Sequence, residues 1–331
     1  MTELESIFTG IASAIRNRNN NSSSYYTPAQ MIDEIYELDK VLYPIYKDDS
    51  SITEYTGDEN IIYNDAFYNC INLSNVSFSK CKLIGNNAFQ SCSLLTAESF
   101  LECVSIGSSA FQSCSLLTTA SFPKCVSIGS SAFQYCSSLA TISFPKCVSI
   151  DGYAFQSCSL LTIASFPECI SIGSSAFQYC SSLETISFPK CVFIDGFAFQ
   201  SCLSLTIASF SKCTNISKNA FYYCPSLATI SFPECTSIGV YAFYSCTALT
   251  IASFPKCTNI SNSAFQYCNK LSSLYLLSTS VVSLQNSNVF NYSPLSAGGS
   301  GTIYVPSSLY SNYITANNWS LISARISSYI E

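Results

Sequence analysis

The pattern Ala-Phe-x-x-Cys occurs ten times in this chain at a constant spacing of 22 residues. The repeated phenylalanines are Phe67, Phe89, Phe111, Phe133, Phe155, Phe177, Phe199, Phe221, Phe243 and Phe265. A second cysteine lies midway through each interval, so the 19 cysteines form one series with a step of 11 residues, from Cys70 to Cys268. A fixed period of this length predicts a solenoid, because one coil cannot bury its apolar face until a neighbour stacks on it.

One coil, residues 117–138, shows the layout of the repeat. The inward side chains of its short strand are Leu117, Ala120, Phe122 and Cys125. A turn is expected at Ile128 and Gly129, followed by one helical turn around Ala132 and Phe133. Over residues 60–290 this frame resembles the BspA-like leucine-rich repeats. The resemblance implies an α/β repeat solenoid, a right-handed coil of 22-residue leucine-rich repeats with short strands and helical turns.

Two short amphipathic helices are expected before the repeats, as a hairpin over residues 1–40. The second helix begins at a capping box, from Thr27 to Gln30. The apolar side chains, our candidate attachment residues, are Leu4, Ile7, Phe8, Ile11 and Ile15 in the first helix and Met31, Ile35 and Leu38 in the second. Helices this short are marginal alone in water. The hairpin therefore either attaches to a partner or a second copy, or it caps the first coil.

The same segment resembles an N-terminal element of tail and baseplate proteins from phages and prophages of gut bacteria. The match is carried by the run from Ile11 to Arg16 and by the stretch from Tyr26 to Ile32. The resemblance implies that the hairpin docks onto a tail or baseplate protein.

The rest of the chain divides into three parts. Residues 41–60 are expected to form a linker and N-terminal cap, residues 61–276 the repeat array, and residues 277–331 a degenerate repeat and C-terminal cap. The stretch from Thr302 to Leu309, together with the single tryptophan, Trp319, resembles the closing segment of BspA-like proteins. Such a cap covers the apolar face and the strand edge of the last coil.

Composition argues against several classes of function. Charged residues make up only 10% of the chain, the formal net charge is −6 and there is no basic block, so nucleic-acid binding is not expected. The absence of histidine removes the commonest general base and metal ligand. We therefore expect no enzyme, no cofactor and no metal.

The chain also carries no feature of export or membrane insertion. Its N-terminus does not resemble a secretory signal, and no stretch of 18 apolar residues could span a membrane. A protein made in the cytosol keeps its thiols reduced. The cysteines are then expected to be buried free thiols that pack as small hydrophobic side chains.

Side chains that recur every 22 residues should form lines along the solenoid axis, at the ~4.8 Å spacing of strands. The candidate ligand contacts on the strand face are Thr119, Thr141, Ile163, Thr185, Ile207, Thr229 and Ile251. Those on the turn side are Tyr135, Tyr153, Tyr179, Phe197, Tyr223 and Tyr241, which can interleave into one aromatic ridge. Such a ridge suits sugar stacking, although packing between coils is the alternative.

A line of charge is expected beside the midway cysteines. The residues that precede them are Lys80, Glu102, Lys124, Lys146, Glu168, Lys190, Lys212, Glu234 and Lys256. Each glutamate thus has a lysine one coil away on both sides, which relieves repulsion along the line. The line either keeps coils in register at the surface or forms a binding stripe.

These features favour a non-enzymatic binding or structural protein. Our leading hypothesis is a tail or baseplate component of a tailed phage or prophage, located in the virion and assembled as a homo-oligomer. Its array would contact a surface polysaccharide or protein of the host. A virion protein leaves the cell by lysis and needs no export signal. The alternative is a bacterial cell-surface adhesin of the BspA-like type.

Overall fold

The structure, a computed structural model, describes residues 46–330. Within that range the chain forms a parallel β-solenoid of about 12 coils, which confirms the architecture expected from the repeat. The expected hairpin of residues 1–40, with its candidate attachment residues from Leu4 to Leu38, lies outside the described residues. No helix between residues 46 and 330 has the length and apolar character needed to cross a membrane.

One side of the solenoid is built from the longer strands, numbered here in chain order along with those of the next side. They are β1 (Glu54–Gly57), β3 (Asn75–Phe78), β5 (Ala97–Ser99), β7 (Thr119–Ser121), β9 (Thr141–Ser143), β11 (Ile163–Ser165), β13 (Thr185–Ser187), β15 (Ile207–Ser209), β17 (Thr229–Ser231), β19 (Ile251–Ser253), β21 (Ser273–Tyr275), β23 (Thr302–Pro306) and β24 (Ile326–Tyr329). They form four separate parallel sheets, β1-β3, β5-β7-β9, β11-β13-β15 and β17-β19-β21-β23-β24. This side is therefore interrupted three times.

A second side is one continuous sheet of eleven two-residue strands. They are β2 (Ile61–Ile62), β4 (Leu83–Ile84), β6 (Ser105–Ile106), β8 (Ser127–Ile128), β10 (Ser149–Ile150), β12 (Ser171–Ile172), β14 (Phe193–Ile194), β16 (Asn215–Ile216), β18 (Ser237–Ile238), β20 (Asn259–Ile260) and β22 (Ser283–Leu284). Residues pair at a step of 22, as Ile150 does with Ile172. The chain at Ile128, where only a turn was expected, is thus part of this sheet, with the isoleucine buried.

Turns form the third side, in place of the helical turn expected around Ala132 and Phe133. Ser131 and Tyr135 have left-handed φ angles of 57° and 62°, which a right-handed helix cannot contain. The N–H groups of Ser131, Phe133 and Tyr135 donate to carbonyls of the next coil at 2.9, 2.7 and 2.9 Å. Because these N–H groups bond between coils, they are not available for the bonds of a helix within one coil.

Two columns of phenylalanine rings fill the core. Phe133 is fully buried and lies parallel to Phe111 and Phe155, with ring centroids 5.2 Å away on either side. The edges of Phe122 and Phe144, from the second column, meet it at 6.0 and 5.9 Å. Both offset-stacked and edge-on contacts are favourable for aromatic rings. Each ring therefore joins its own coil to two neighbours.

A C-terminal cap closes the last coil. Its helices are a 3₁₀ helix (Ser287–Phe290), a 3₁₀ helix (Ser307–Leu309), α1 (Tyr310–Thr315) and a 3₁₀ helix (Ser320–Arg325). The buried indole of Trp319 donates to the Val282 carbonyl at 2.7 Å, and the Tyr313 hydroxyl accepts from the Val282 N–H at 3.0 Å. These rings cover the end of the aromatic columns, where Trp319 contacts Phe290.

Candidate functional site

The strand face presents a line of uncharged side chains in register. Thr119 pairs with Thr141, and Ile163 pairs with Thr185. The isoleucines are exposed, at 58% for Ile163, 59% for Ile207 and 43% for Ile251. Thr119, Thr141 and Thr229 are exposed as well, and Thr185 is half-buried. The line is divided, because the sheet breaks fall between Thr141 and Ile163 and between Ile207 and Thr229.

The turn side exposes the aromatic candidates as separate rings. Tyr135, Tyr153, Tyr179, Tyr223 and Tyr241 are exposed, and Phe197 is half-buried. Within residues 46–330 none of these six rings contacts another of the six. A ring contact occurs only near the C-terminal end, where Tyr244 lies between Tyr241 and Tyr267 at 5.5 and 5.2 Å. The expected interleaved ridge is therefore an array of isolated rings.

The backbone explains why these rings stand apart. The two turn positions that carry them have φ near +60° in every repeat, for example Ser131 and Tyr153 at one position and Tyr135 and Ser157 at the other. From the coil of Ser131 and Tyr135 onward, tyrosine or phenylalanine alternates with serine or asparagine at each position. A ring in one coil therefore has a small side chain beside it, which leaves its faces open.

A line of glutamines lies between the two aromatic positions and was missed in the sequence analysis. Its members are Gln90, Gln112, Gln134, Gln156, Gln178 and Gln200. The amide nitrogen of each of the first five donates to the amide oxygen of the glutamine in the next coil, at 2.8 Å from Gln90, 2.6 Å from Gln112 and 2.6 Å from Gln178. Tyr222 and Tyr244 continue the line as stacked rings 4.9 Å apart. The constant 22-residue spacing of these glutamines is the signal that could have revealed the line.

The charged line forms ion pairs on one side of each glutamate only. Lys124 pairs with Glu102 at 2.7 Å, Lys190 with Glu168 at 2.6 Å and Lys256 with Glu234 at 2.7 Å. Between residues 46 and 330, Lys146 and Lys212 make no ion pair within 4.0 Å. Each glutamate thus has a lysine one coil away on both sides and forms an ion pair with one of the two.

The sheet breaks account for this asymmetry. Lys146 and Glu168 lie on opposite sides of the break between β9 and β11, where the Phe144 and Phe166 rings are 5.9 Å apart. Within the next sheet, Phe166 and Phe188 are 5.3 Å apart and the Lys190 pair forms. The pairs are roughly half exposed, so each contributes at most about 1 kcal/mol to stability.

All 19 cysteines are buried free thiols, as predicted. The turn-side thiols donate to carbonyls of the preceding coil, as Cys136 does to Phe111 at 3.0 Å, and the midway thiols donate within their own coil, as Cys125 does to Ser127 at 3.2 Å. Burial raises the pKa of Cys136 and Cys125 to about 12. Protonated, buried thiols are poor nucleophiles and poor metal ligands. Among residues 46–330 no three His, Cys, Asp or Glu side chains converge as a metal site.

The C-terminal end carries a further aromatic group. The rings of Tyr275 and Tyr304 stack at 4.7 Å on the outward side of β21 and β23, and the edge of Tyr329 meets them at 5.9 and 6.3 Å. Beside Tyr329 lies an open cavity of about 420 Å³ that Leu277 helps to line.

The family model for the BspA type leucine-rich repeat region matches residues 46–162 and 148–272. The chain belongs to the BspA type leucine-rich repeat family. Proteins built from these repeats are generally non-enzymatic binding or structural proteins. The BspA type array described above, with its exposed uncharged lines, agrees with a binding or structural role.

Solved structures of other leucine-rich proteins resemble this BspA type chain. A leucine-rich cell surface protein from Faecalibacterium prausnitzii is 26% identical, with 67% of this chain and 78% of that chain covered and a TM-score of 0.41. TpLRR, a leucine-rich repeat protein from T. pallidum, is 28% identical, with 47% and 77% covered and a TM-score of 0.40. A leucine-rich repeat protein from Bacteroides ovatus is 23% identical, with 71% and 84% covered and a TM-score of 0.32. A comparison with curated proteins gives no match.

Proposed function

We propose that this protein is a tail or baseplate component of a tailed phage or prophage, and that its array contacts a repetitive ligand on the host cell surface. The observation that carries the binding role is the 22-residue register, which repeats the same uncharged exposed side chains along the axis. Near-identical coils can engage equivalent units of one ligand together. Linked weak contacts of this kind raise the overall affinity by mass action.

A surface polysaccharide fits this array better than a charged polymer does. The exposed lines consist of Thr, Ile, Ser, Tyr and Gln, and the lysines of the charged line alternate with glutamates. Phosphate backbones require clustered cationic side chains, which this arrangement lacks. A host surface protein remains a possible ligand for the strand face, where the isoleucines are exposed.

The assignment to a virion is supported by the N-terminal resemblance. The apolar residues proposed for attachment, such as Ile11 and Ile15, lie outside the described residues and belong to the stretch that resembles phage tail and baseplate proteins. In this proposal the hairpin docks onto a tail or baseplate protein and assembles copies of the chain into a homo-oligomer. The array then extends toward the host.

A bacterial cell-surface adhesin is the second candidate. Membership of the BspA type family favours it, because the sequence resemblance to BspA-like proteins implies surface adhesion. The adhesin would display the same array on the producing cell and would require an export route.

Immunogold labelling with an antibody against the array separates the two functions. A tail or baseplate component predicts gold particles at one end of purified phage particles and none on intact producing cells. An adhesin predicts gold on intact producing cells and none on particles. Labelling of neither would refute both assignments.

A pair of variants separates attachment from ligand binding. Ile11→Asp with Ile15→Asp should remove the full-length chain from particles but leave its binding to host cells unchanged. Ile163→Thr with Ile207→Thr tests the strand face, and these changes suit the fold because native threonine occupies the same position in neighbouring coils. Wild-type particle content in the first variant would contradict the role given to the hairpin.

A further inference from the structure

One line of tyrosines on the turn side repeats every second coil. Tyr135, Tyr179 and Tyr223 occupy equivalent positions 44 residues apart and are 50%, 48% and 49% exposed. Successive turn-side rings of the core, such as Phe133 and Phe155, are 5.2 Å apart. Two coils therefore advance about 10 Å, between twice the ~4.8 Å strand spacing and twice this ring distance, so this line presents an open ring at that interval along the axis.

The backbone conformation at these positions is unfavourable for tyrosine. Tyr135, Tyr179 and Tyr223 have φ angles of 62°, 62° and 58°, a region that bulky side chains rarely adopt. Serine occupies the same turn position in the alternate coils, at 61° for Ser157 and 59° for Ser201. The rings do not fill the core, since half of each is exposed. The strained backbone at these tyrosines is therefore not compensated by core packing, which indicates a role for the rings at the surface.

The gaps between the rings are polar and open. Ser157 and Ser201 are half-buried, and within residues 46–330 their hydroxyls have no hydrogen-bond partner in the chain. The adjoining glutamine amides use one N–H each for the next coil, as Gln178 does toward Gln200, and keep a second N–H. Along the axis, a coil that carries an apolar ring thus alternates with a coil that carries a free serine hydroxyl.

The second aromatic line is less accessible. It contains Tyr153, Phe197 and Tyr241, one coil out of phase with the first. The ammonium of Lys218 lies over the Phe197 ring at 5.5 Å, so that face is already occupied. The next tyrosine of the first line, Tyr267, already stacks on Tyr292 and meets the edge of Tyr244, so its ring is not open either. The continuous binding line is therefore the one from Tyr135 to Tyr223.

We infer that this line binds an extended linear polysaccharide along the solenoid axis, with two sugars for every two coils. One sugar of each pair stacks its C–H face on a tyrosine ring, and the next hydrogen-bonds the serine hydroxyl in the gap. The interval of about 10 Å is close to the length of a disaccharide in an extended chain with equatorial linkages. This inference rests on the proposed function and specifies its ligand.

An extended peptide strand does not keep this register. Two residues of a β-strand advance ~6.8 Å. The backbone N–H of each tyrosine is fixed to the next coil, as Tyr179 is to the Gln200 carbonyl at 2.9 Å, so the rings cannot shift to follow such a strand. One turn of a polyproline helix advances ~9.3 Å, which is close to the ring interval, so a polyproline peptide is the matched comparison for the sugar chain.

Calorimetric titration of the full-length chain tests the interval. The probes are linear β-1,4-linked glucose and N-acetylglucosamine oligomers of two to six sugars, with dextran and a polyproline peptide for comparison. We expect affinity to rise about fivefold to tenfold with each added pair of sugars, as each pair reaches another ring. A smooth rise with every single sugar, or tighter binding of dextran or polyproline, would overturn the inference.

Two sets of variants test the spacing itself. Tyr179→Ser installs the residue native to alternate coils and should weaken binding of the six-sugar oligomer about tenfold, whereas Tyr310→Ser on the cap should leave it unchanged. Ser157→Tyr with Ser201→Tyr adds rings but removes the gaps, and we expect weaker binding. Tighter binding by the gap-filling variant would refute the two-coil register and indicate a general aromatic surface.

The same variants distinguish this inference from the proposed function. Full host-cell binding by Tyr179→Ser, together with no oligosaccharide binding by the native chain, would refute the inference and leave host contact to the strand face. Oligosaccharide binding with no attachment to host cells or particles would refute the proposed function and leave the line intact.

Discussion

Raising the pH above 9 should unfold the array, because its buried thiols cannot ionise while it is folded. Burial raises the pKa of seventeen of the cysteines above the ordinary value of 9.0, and the pKa reaches about 12 for thiols such as Cys180 and Cys246. These side chains are at most 1% exposed. As the pH rises, the unfolded chain therefore loses protons first. The free energy of unfolding therefore has its full value below pH 9 and falls as the pH rises from about 9 toward 12.

The structure sets the size of this effect. At the unfolded pKa of 9.0 each such thiol costs the folded state less than about 1 kcal/mol, and one pH unit higher it costs about 1 kcal/mol or slightly more. Summed over the sixteen thiols other than Cys70, the cost is on the order of 10 kcal/mol between pH 9 and pH 10. Single domains are stable by about 5–15 kcal/mol. The midpoint of unfolding should therefore lie between about pH 9 and pH 10.

Circular dichroism and thiolate absorbance, recorded together under a reducing agent, provide the assay. The two signals should change in one transition, because thiolates appear only as coils open. Cys147→Ala provides the control, since removing one thiol should lower the slope of stability against pH by about 1.4 kcal/mol per unit above pH 9. Thiolates that form near pH 9 in a folded chain would refute the reasoning from burial. A chain that stays folded with protonated thiols at pH 10.5 would refute the magnitude.

Three further outcomes follow from the packing. Phe133→Ala removes a ring held between two neighbours and should lower the free energy of unfolding by about 3–5 kcal/mol in urea titrations, with Phe133→Leu costing less than about half of that. Glu168→Gln breaks the pair with Lys190 and should change stability by less than about 1 kcal/mol, with no difference left at high salt. Trp319→Phe leaves the Val282 carbonyl without its donor and should cost about 1–3 kcal/mol, seen as faster hydrogen exchange in the last coils. Unchanged exchange there would contradict the role of the cap.

The architecture was predictable because the repeat fixes which residues stack. Once Phe133 and Phe155 are known to be equivalent, the parallel register places their rings together, and the cysteines at a step of 11 follow into the core. Alanine and isoleucine alternate at one inward site of successive coils, and the structure pairs Ala164 with Ile186 across β11 and β13. Periodicity alone was sufficient for these features.

The turn side was less predictable because its conformation depends on the neighbouring coil. Ser131 and Tyr135 adopt positive φ so that their N–H groups can reach carbonyls 21 residues ahead, and no local propensity of serine or tyrosine favours that geometry. The ion pair missing at Lys146 likewise depends on where a sheet is interrupted, which the 22-residue period does not contain. For the candidate site, the 22-residue register was sufficient to predict which side chains line up on the surface. That the aromatic rings stand apart could be seen only from the turn conformation in the structure.

Two longer periods explain how nearly identical coils avoid slipping past one another. Inward residues such as Ala164 and Ile186, and the tyrosines of the turn side, alternate over two coils, whereas the Lys-Glu-Lys line repeats over three. A slip of one coil would set large side chains where small ones belong, and a slip of two coils would restore the core but set every lysine beside lysine and every glutamate beside glutamate. A slip of four coils is the smallest that keeps both the alternating core and the lysine–glutamate neighbours. In an array of about 12 coils such a slip leaves about a third of the coils without a partner, so the combination of periods favours a single register.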